Sequence, residues 1–247
     1  MRLSTIQTNL KLGNVDKNVE KIFDFLKRAK PNSLVLLPEM WSCGFDNKHL
    51  DKHVQRTKNI YKELKKLSKE KQLVIAGTLP EKNKKGIVNK GFIIDCGNVI
   101  HRQDKVKLFK PTKEHKFFVS GNSRFDIAES SMGNLGMMIC FELRFPNISY
   151  TLRRKGVEII LVPAQWGKSR KEHLEILSKA RAVESQSFVV VSNTVGKIGN
   201  VEYAGASGIY SPWGETLVFS NEEEGLFETE VDLADIYKVR KKIKMDY

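Results

Sequence analysis

Cysteine is scarce in this chain, and the scarcity excludes a good deal. Only Cys43, Cys96 and Cys140 occur in 247 residues, an odd number, widely spaced and with no CxxC pair. A disulfide framework and a thiolate metal centre both need more than that. The five histidines show no HExxH arrangement; His49 and His53 are four apart, yet no third ligand accompanies them. No metal and no cofactor are therefore expected. Long apolar runs are missing as well. Nothing approaches the roughly 18 apolar residues of a membrane span. MRLSTIQTNL at the N-terminus reads as a short strand, not a signal peptide. A cytoplasmic protein with no membrane partner is expected. Arginine-rich tracts, RNP-like aromatic runs, repeats, low-complexity segments and linkers are absent too.

What is plentiful is lysine. Lys+Arg number 42 against 29 Asp+Glu, so the net charge is 42 − 29 = +13. The lysines are spread over most of the chain, as on solvated helix faces, and no nucleic-acid partner is expected. Such a surplus favours anionic substrates by steering. With 40% hydrophobic residues the chain can build a sizeable core, and residues 1–247 are expected to form one domain.

Val19, Ile22, Phe23 and Leu26 fall at i, i+3, i+4, i+7 and predict a helix over residues 16–30. LVLLP (34–38) reads as a buried strand, Ile60, Leu64 and Leu67 return to helical spacing, and LVIAGTL (73–79) is the next strand. GIVNKGFIID, a Cys-Gly-Asn turn and VIHRQDKVKLF form an antiparallel hairpin. LGMMIC (135–140) reads as a strand, and Pro146 suits the first turn of a helix, where its missing N–H has no partner anyway. Arg153, Arg154 and Lys155 complement that helix's C-terminal dipole and Gly156 stops it. VEIILVPA (157–164) follows as a strand, completing a βαβ unit. A helix over about Lys171 to Ser185 precedes the strand FVVVSNTV (188–195). GASGIYSPWGETLVF and GLFETEVDL read as antiparallel strands around an SPWG turn. The pattern is a mixed-sheet α/β domain.

Three polar residues appear where apolar strands finish: Glu39 after LVLLP, Lys105 after VIHRQD, and Cys140 at the end of GMMIC. Ligand sites in α/β sheets gather beyond the carboxyl ends of strands. Each residue has an ordinary reading: a packed thiol, a helix-capping carboxylate, a solvated ammonium. Together they form a reactive set. A carboxylate in a partly dry pocket can take a thiol proton. An ammonium and the N–H groups of a strand-to-helix turn can hold an oxyanion. Attack on an amide or nitrile carbon gives a thioester or thioimidate for water to hydrolyse, and no histidine is required.

This set resembles the nitrilase superfamily of carbon–nitrogen hydrolases. LLPEMW (36–41), DKVKLF (104–109) and ICFELRFP (139–146) are similar to its glutamate, lysine and cysteine motifs in order and spacing. KARAVES (179–185) resembles its helix motif and EYAGASGIYSPWGE (202–215) its C-terminal strand pair, so the likeness spans nearly the whole chain. The resemblance implies a four-layer αββα sandwich with two mixed β-sheets, pairing through outer helices into a homodimer or larger assembly. It also implies a second glutamate: Glu114, in KPTKEHKFFVSGN (110–122), is the match, holding Lys105 and positioning substrate or water.

The chain departs from the family pattern at several positions. Lys107 replaces the usual histidine of Lys-x-His, Phe141 and Glu142 replace the Tyr-Asp of Cys-Tyr-Asp, and Leu174 follows His173 where tryptophan is frequent. No reacting group is lost, since Phe141 would contribute its backbone N–H. Arg144 has two readings, a pairing with Glu142 or another carboxylate at the helix start, or a contact to a substrate carboxylate. Trp166, in VPAQWG (162–167), either walls the pocket or packs in the core or a dimer contact. Cys43 follows Glu39 by four residues, so it either lines the pocket mouth, with a redox role, or is a small loop residue.

KEHKFF together with ICFELRFP resembles the omega-amidase branch, which hydrolyses amides of 2-oxo dicarboxylic acids such as 2-oxoglutaramate and 2-oxosuccinamate. Arg144, Lys107 and Lys113 are the cations near the motifs that could hold such a carboxylate. An amidase for deaminated glutathione, an N-carbamoyl hydrolase and a true nitrilase are the neighbouring enzyme readings. A silent nitrilase-like partner protein would be expected to lack part of the triad, and here all three residues stand.

Overall fold

The computed structural model describes residues 1–245; the last two residues of the expected 1–247 domain lie outside the described residues. Strand β1 (Arg2–Gln7) leads into helix α1 (Val15–Arg28) and returns as β2 (Ser33–Leu36), parallel to β1. Helix α2 (Leu50–Lys71) then feeds β3 (Val74–Asn83), parallel to β2. β4 (Gly86–Asp95) and β5 (Asn98–Asp104) extend this sheet as antiparallel strands. The second sheet begins with the hairpin β6 (Ala128–Ser130) and β7 (Gly133–Met137). Helix α3 (Pro146–Arg154) connects β7 to β8 (Ile159–Pro163), and α4 (Lys171–Ser185) connects β8 to β9 (Phe188–Ser192), all three strands being parallel. A separate hairpin, β10 (Val195–Ile198) and β11 (Val201–Ala204), precedes β12 (Gly208–Tyr210) and β13 (Thr216–Phe219). β14 (Gly225–Glu230) and helix α5 (Ala234–Lys242) follow.

The strand orders are β14-β1-β2-β3-β4-β5 and β13-β12-β9-β8-β7-β6. The two sheets lie face to face, β1 against β9 and β12, and β2 against β8 and β9. Helices α1 and α2 cover the outer face of the first sheet, while α3 and α4 cover the second, so the molecule is a four-layer αββα sandwich. The period-2 geometry of a strand explains the unbroken apolar runs. Leu34 and Leu36 of β2 face the inter-sheet core with Leu3, Val74 and Ala76. Val35 of β2 and Leu37 just after it point the other way, under Ile22, Leu26, Ile60 and Leu64 of the helices.

The boundaries follow local chemistry. The Asn14 side chain accepts a bond from the Lys17 N–H at 3.1 Å and starts α1. Gly156, at φ +87°, ends the turn after α3. Several features differ from the sequence reading: the strand read in VIHRQDKVKLF stops at Asp104 and that in FVVVSNTV at Ser192. α5 was not anticipated, because it buries only Ile236 and Val239 and is held by polar bonds such as Arg240 Nη2 to Val157 O at 2.6 Å. The two C-terminal strand segments also part company: β13 stays beside β12, whereas β14 crosses to the other sheet and pairs antiparallel with β1.

Gln7 explains where that crossing occurs. Its fully buried amide donates to Asn221 O at 3.1 Å and Glu223 O at 2.8 Å. Its Oε1 accepts from the Ser207 N–H at 2.9 Å and the Ser220 hydroxyl at 2.6 Å. Gln7→Leu keeps the volume but leaves these buried partners unsatisfied, at about 1–3 kcal/mol for a group so stranded. An unfolding free energy lower by at least about 2 kcal/mol is expected by urea denaturation. A loss below about 0.5 kcal/mol would show that water replaces the amide at no cost.

Candidate active site

The carboxyl ends of β2, β5 and β7 point to one region, and the chain beyond each end delivers one polar residue. Glu39 stands three residues past β2, Lys105 directly follows β5, and Cys140 stands three residues past β7. The ladder of LGMMIC therefore stops short of the cysteine. Cys140 instead opens a single 3-10 turn, Cys140–Arg144, with a left-handed φ of 48°. Met40, beside Glu39, is also left-handed at 47°, its N–H held by Thr78 Oγ1 at 2.7 Å. Such backbone costs about 1–3 kcal/mol per residue and persists where its surroundings enforce it.

Lys105 sits at the centre of a buried charge cluster. Its Nζ donates to Glu39 Oε1 at 2.7 Å and to both carboxylate oxygens of Glu114 at 2.9 and 3.0 Å. The relative exposures of Glu39, Lys105 and Glu114 are 0%, 1% and 2%. Each carboxylate has further donors. Asn89 Nδ2 reaches Glu39 Oε1 at 2.8 Å and the Gln165 N–H reaches Oε2 at 3.1 Å. The Phe109 N–H reaches Glu114 Oε2 at 2.6 Å. Glu142 is also fully buried, its carboxylate taking the N–H groups of Val106 at 2.6 Å, Lys107 at 3.3 Å and Ile139 at 2.7 Å.

Burial sets the proton positions. It raises Glu39 above the usual carboxylate range, with Lys105 opposing and Glu114 adding to the rise. For Lys105 burial works against the charge, but Glu39 and Glu114 outweigh it and hold the ammonium more firmly than in a free lysine. Burial, and then the Glu39 carboxylate, push the Cys140 thiol well up, offset in part by Lys105 and the Gln165 N–H. The resting arrangement is thus a neutral thiol beside an ammonium and a carboxylate of raised basicity.

Glu39, Lys105, Glu114 and Cys140 line one cavity of about 270 Å³, with Tyr203 and the tip of the β10–β11 hairpin on its far side. A recess of about 30 Å³ adjoins it at Cys140, walled by Phe109, Phe141, Trp166, Arg144 and Arg170. All seven residues proposed from the sequence therefore meet at this place. Arg144 does not pair with Glu142, whose oxygens are taken by backbone N–H groups. Its guanidinium instead stacks 4.9 Å from the centre of the Trp166 ring and contacts His173 Nδ1 at 3.0 Å. Trp166 is anchored by its own indole N–H to Arg170 O at 2.7 Å. Of the other cations considered, Lys107 lies over the Phe145 ring and Lys113 forms the left-handed link between two 3-10 turns, and neither lines the cavity.

Sequence reasoning missed Asn89, Gln165 and Arg170. Asn89 carried a signal, a polar residue inside the apolar strand GIVNKGFIID, whereas Arg170 was hidden in the basic stretch KSRKEH. Cys43 is the reverse case. It lies fully buried in the cluster beneath α1 and α2, donates to Gly44 O at 3.1 Å, and is absent from the cavity wall. Burial pushes its thiol up to about 12.

The model of the carbon-nitrogen hydrolase family matches residues 2–241. The 2-oxoglutaramate amidase of Bacillus subtilis is 30% identical over 245 residues, covering 98% of this chain and 94% of that protein. The omega-amidase YafV of Escherichia coli is 28% identical over 211 residues, 85% of this chain and 81% of the relative. Among solved structures, XC1258 from Xanthomonas campestris superposes with a TM-score of 0.90 at 25% identity, covering 98% and 94% of the two chains. It is a CN-hydrolase superfamily protein with an arsenic adduct in its active site.

A thiol as deeply buried and as weakly acidic as Cys43 is a poor target for oxidants. Cys43→Ser is expected to leave the rate of peroxide inactivation unchanged. A rate altered more than about threefold would return Cys43 to the pocket mouth.

Proposed function

This chain belongs to the carbon–nitrogen hydrolase family, and on that premise we propose that it is an omega-amidase, releasing ammonia from the amide end of a 2-oxo dicarboxylic acid monoamide such as 2-oxoglutaramate or 2-oxosuccinamate. The observation that carries this reading is the pair Arg144 and Arg170 beside Cys140. Neither guanidinium is matched to a carboxylate among the described residues; Arg144 has Trp166 and His173, Arg170 the Phe109 ring and Ser169. Burial and the neighbouring Arg170 both disfavour the Arg144 charge. Two adjacent cations lining a recess suit an anion, and a planar carboxylate matches the guanidinium fork. Relatives named 2-oxoglutaramate amidase and omega-amidase support the same substrate class.

The reaction follows from the proton positions. Ionised Glu39 takes the thiol proton as Cys140 Sγ bonds to the amide carbon, and the carbonyl π pair moves onto oxygen. Lys105 and the Phe141 N–H, at the open start of the 3-10 turn, hold that oxyanion. As the C–N bond breaks, the Glu39 carboxyl returns its proton to the departing nitrogen, and ammonia leaves a thioester. Glu39 then deprotonates a water that attacks the same carbon. The C–S bond breaks, Cys140 recovers a proton, and the 2-oxo diacid is released. Glu114 keeps Lys105 aligned throughout. Because thiol and carboxylate are both shifted up, proton transfer accompanies attack and no standing thiolate is required.

The protein is read as one domain, cytoplasmic and without a nucleic-acid partner, in keeping with three free cysteines and scattered lysines. Ile176 and Val183 of α4 and Trp213 are large apolar side chains left exposed on the outer-helix side, which supports a homodimer formed there.

Cys140→Ala is expected to abolish ammonia release with little change in thermal stability, and Glu39→Gln and Lys105→Met to lose at least about 10²-fold in kcat. Normal turnover in any of the three removes that residue from the mechanism. For the substrate, kcat/KM for 2-oxoglutaramate is expected to exceed that for valeramide by at least about 10²-fold, and Arg144→Ala and Arg170→Ala each to erase about tenfold of the difference. Equal kcat/KM for the two amides in the wild-type protein would refute carboxylate recognition and leave a general amidase.

A further inference from the structure

Lys105 and Cys140 come from opposite layers of the sandwich. Lys105 follows β5 of the first sheet and Cys140 follows β7 of the second. Their relation depends on how the two sheets sit against each other, and apolar contact alone leaves such a relation adjustable by fractions of an ångström. A catalytic pair tolerates little of that, since misplacement near 1 Å can cost on the order of 10²-fold in rate.

We propose that Glu142 is a positioning residue for the reaction, its carboxylate bridging the backbone of the Lys105 loop to that of the Cys140 turn so that the ammonium and the thiol are held in register. Val106, whose N–H meets Oε1 at 2.6 Å, is the residue after Lys105. Ile139, whose N–H meets Oε2 at 2.7 Å, is the residue before Cys140. The Lys107 N–H adds a third bond at 3.3 Å to Oε1. One side chain thus grips both reacting residues by their immediate neighbours, one oxygen to each layer. Between these strands the bond from Gln103 Nε2 to Met137 O is longer, at 3.3 Å, and acts two residues before Lys105 and three before Cys140.

The choice of side chain is informative. All three partners are donors, so only an acceptor-only group satisfies them together, and an ionised carboxylate is the one side chain of that kind. Glutamine would turn an NH₂ group against one of the two loops. Burial pushes Glu142 up to about 7, against the backbone donors and Lys105, so the carboxylate is held here at a cost that simple space-filling does not demand. The length of the glutamate arm brings Oε1 to the Lys107 N–H as well as to that of Val106.

The inference rests on the Glu39–Lys105–Cys140 reading but not on the identity of the amide. Two readouts on folded variants test it: kcat and KM with 2-oxoglutaramate, and the rate of Cys140 alkylation by iodoacetamide followed by mass spectrometry. Glu142→Gln is expected to lose about 10²-fold in kcat with KM within about threefold, and to slow alkylation about tenfold. Glu142→Asp, which keeps the charge but shortens the arm, is expected to lose about three- to tenfold in kcat at unchanged KM. Wild-type kcat or wild-type alkylation in Glu142→Gln overturns the inference. Should Glu142→Gln fail to fold, Glu142→Asp decides, and a kcat and alkylation rate equal to wild type overturn it. Alkylation needs no substrate, so it remains decisive even where the wild-type protein leaves 2-oxoglutaramate uncleaved.

Discussion

The structure turns on a lysine ammonium buried between two glutamates. An isolated ammonium at 1% exposure would be far too costly to keep charged, and it would deprotonate or pull the site open. Glu39 and Glu114 remove that choice by supplying three contacts of 2.7 to 3.0 Å. The two carboxylates are themselves buried, and their oxygens also accept from Asn89 Nδ2 and the N–H groups of Gln165 and Phe109. The partners come from the ends of β2, β5 and β8, from within β4 and from the loop after β5, so forming the cluster ties these segments to one another. A half-satisfied version would be worse than an apolar core. The fold and the site are therefore specified by the same contacts.

That arrangement also explains why the thiol is not preformed as a thiolate. Next to an ammonium alone, Cys140 would be acidic, as at many reactive cysteines. Here the ammonium is already neutralised, and a second carboxylate leaves the trio with net negative charge. Burial and Glu39 together outweigh Lys105, and the proton stays on sulfur until an acceptor is needed. In the proposed mechanism the thiol is thereby spared idle oxidation, and its activation is tied to the arrival of substrate.

Much of this was legible in the sequence, for physical reasons that differ by element. The strands over residues 34–38 and 157–164 announced themselves because a strand buried on both faces must be apolar without a break, and Glu39 was conspicuous as the first charge after one of them. α1 and α2 were legible through apolar spacing, and α3 through Pro146 and Gly156. The exact place where LGMMIC leaves its sheet was not, because a left-handed φ at a cysteine is enforced by tertiary contacts and has no local signature. Neither was the passage of β14 to the opposite sheet, which depends on the buried amide of Gln7, a residue 218 positions before the strand begins at Gly225 (225 − 7). Arg170 stayed hidden because a basic residue ahead of a helix is ordinary at the surface. Its meaning comes only from the ring and the second guanidinium beside it.

The charge balance of the site has a further consequence for selectivity. In the proposed reading, ionised Glu39 and Glu114 carry one more negative charge than Lys105 removes, beside the place the amide carbon takes at Cys140. A substrate carboxylate brought into that cluster would be repelled, and at short range in a dry pocket such repulsion is severe. The net charge of +13 can draw an anion toward the surface from a distance, but it acts on any anion and fades beyond a Debye length of about 8–10 Å. In that reading, recognition at contact calls for cations in the recess that adjoins Cys140. Arg144 and Arg170 line the recess that adjoins Cys140, against the Trp166 and Phe109 rings, and Arg170 also borders the main cavity. In the proposed reading, the glutamates of the main cavity and Arg144 of the recess let one end of a substrate be held while the other reacts.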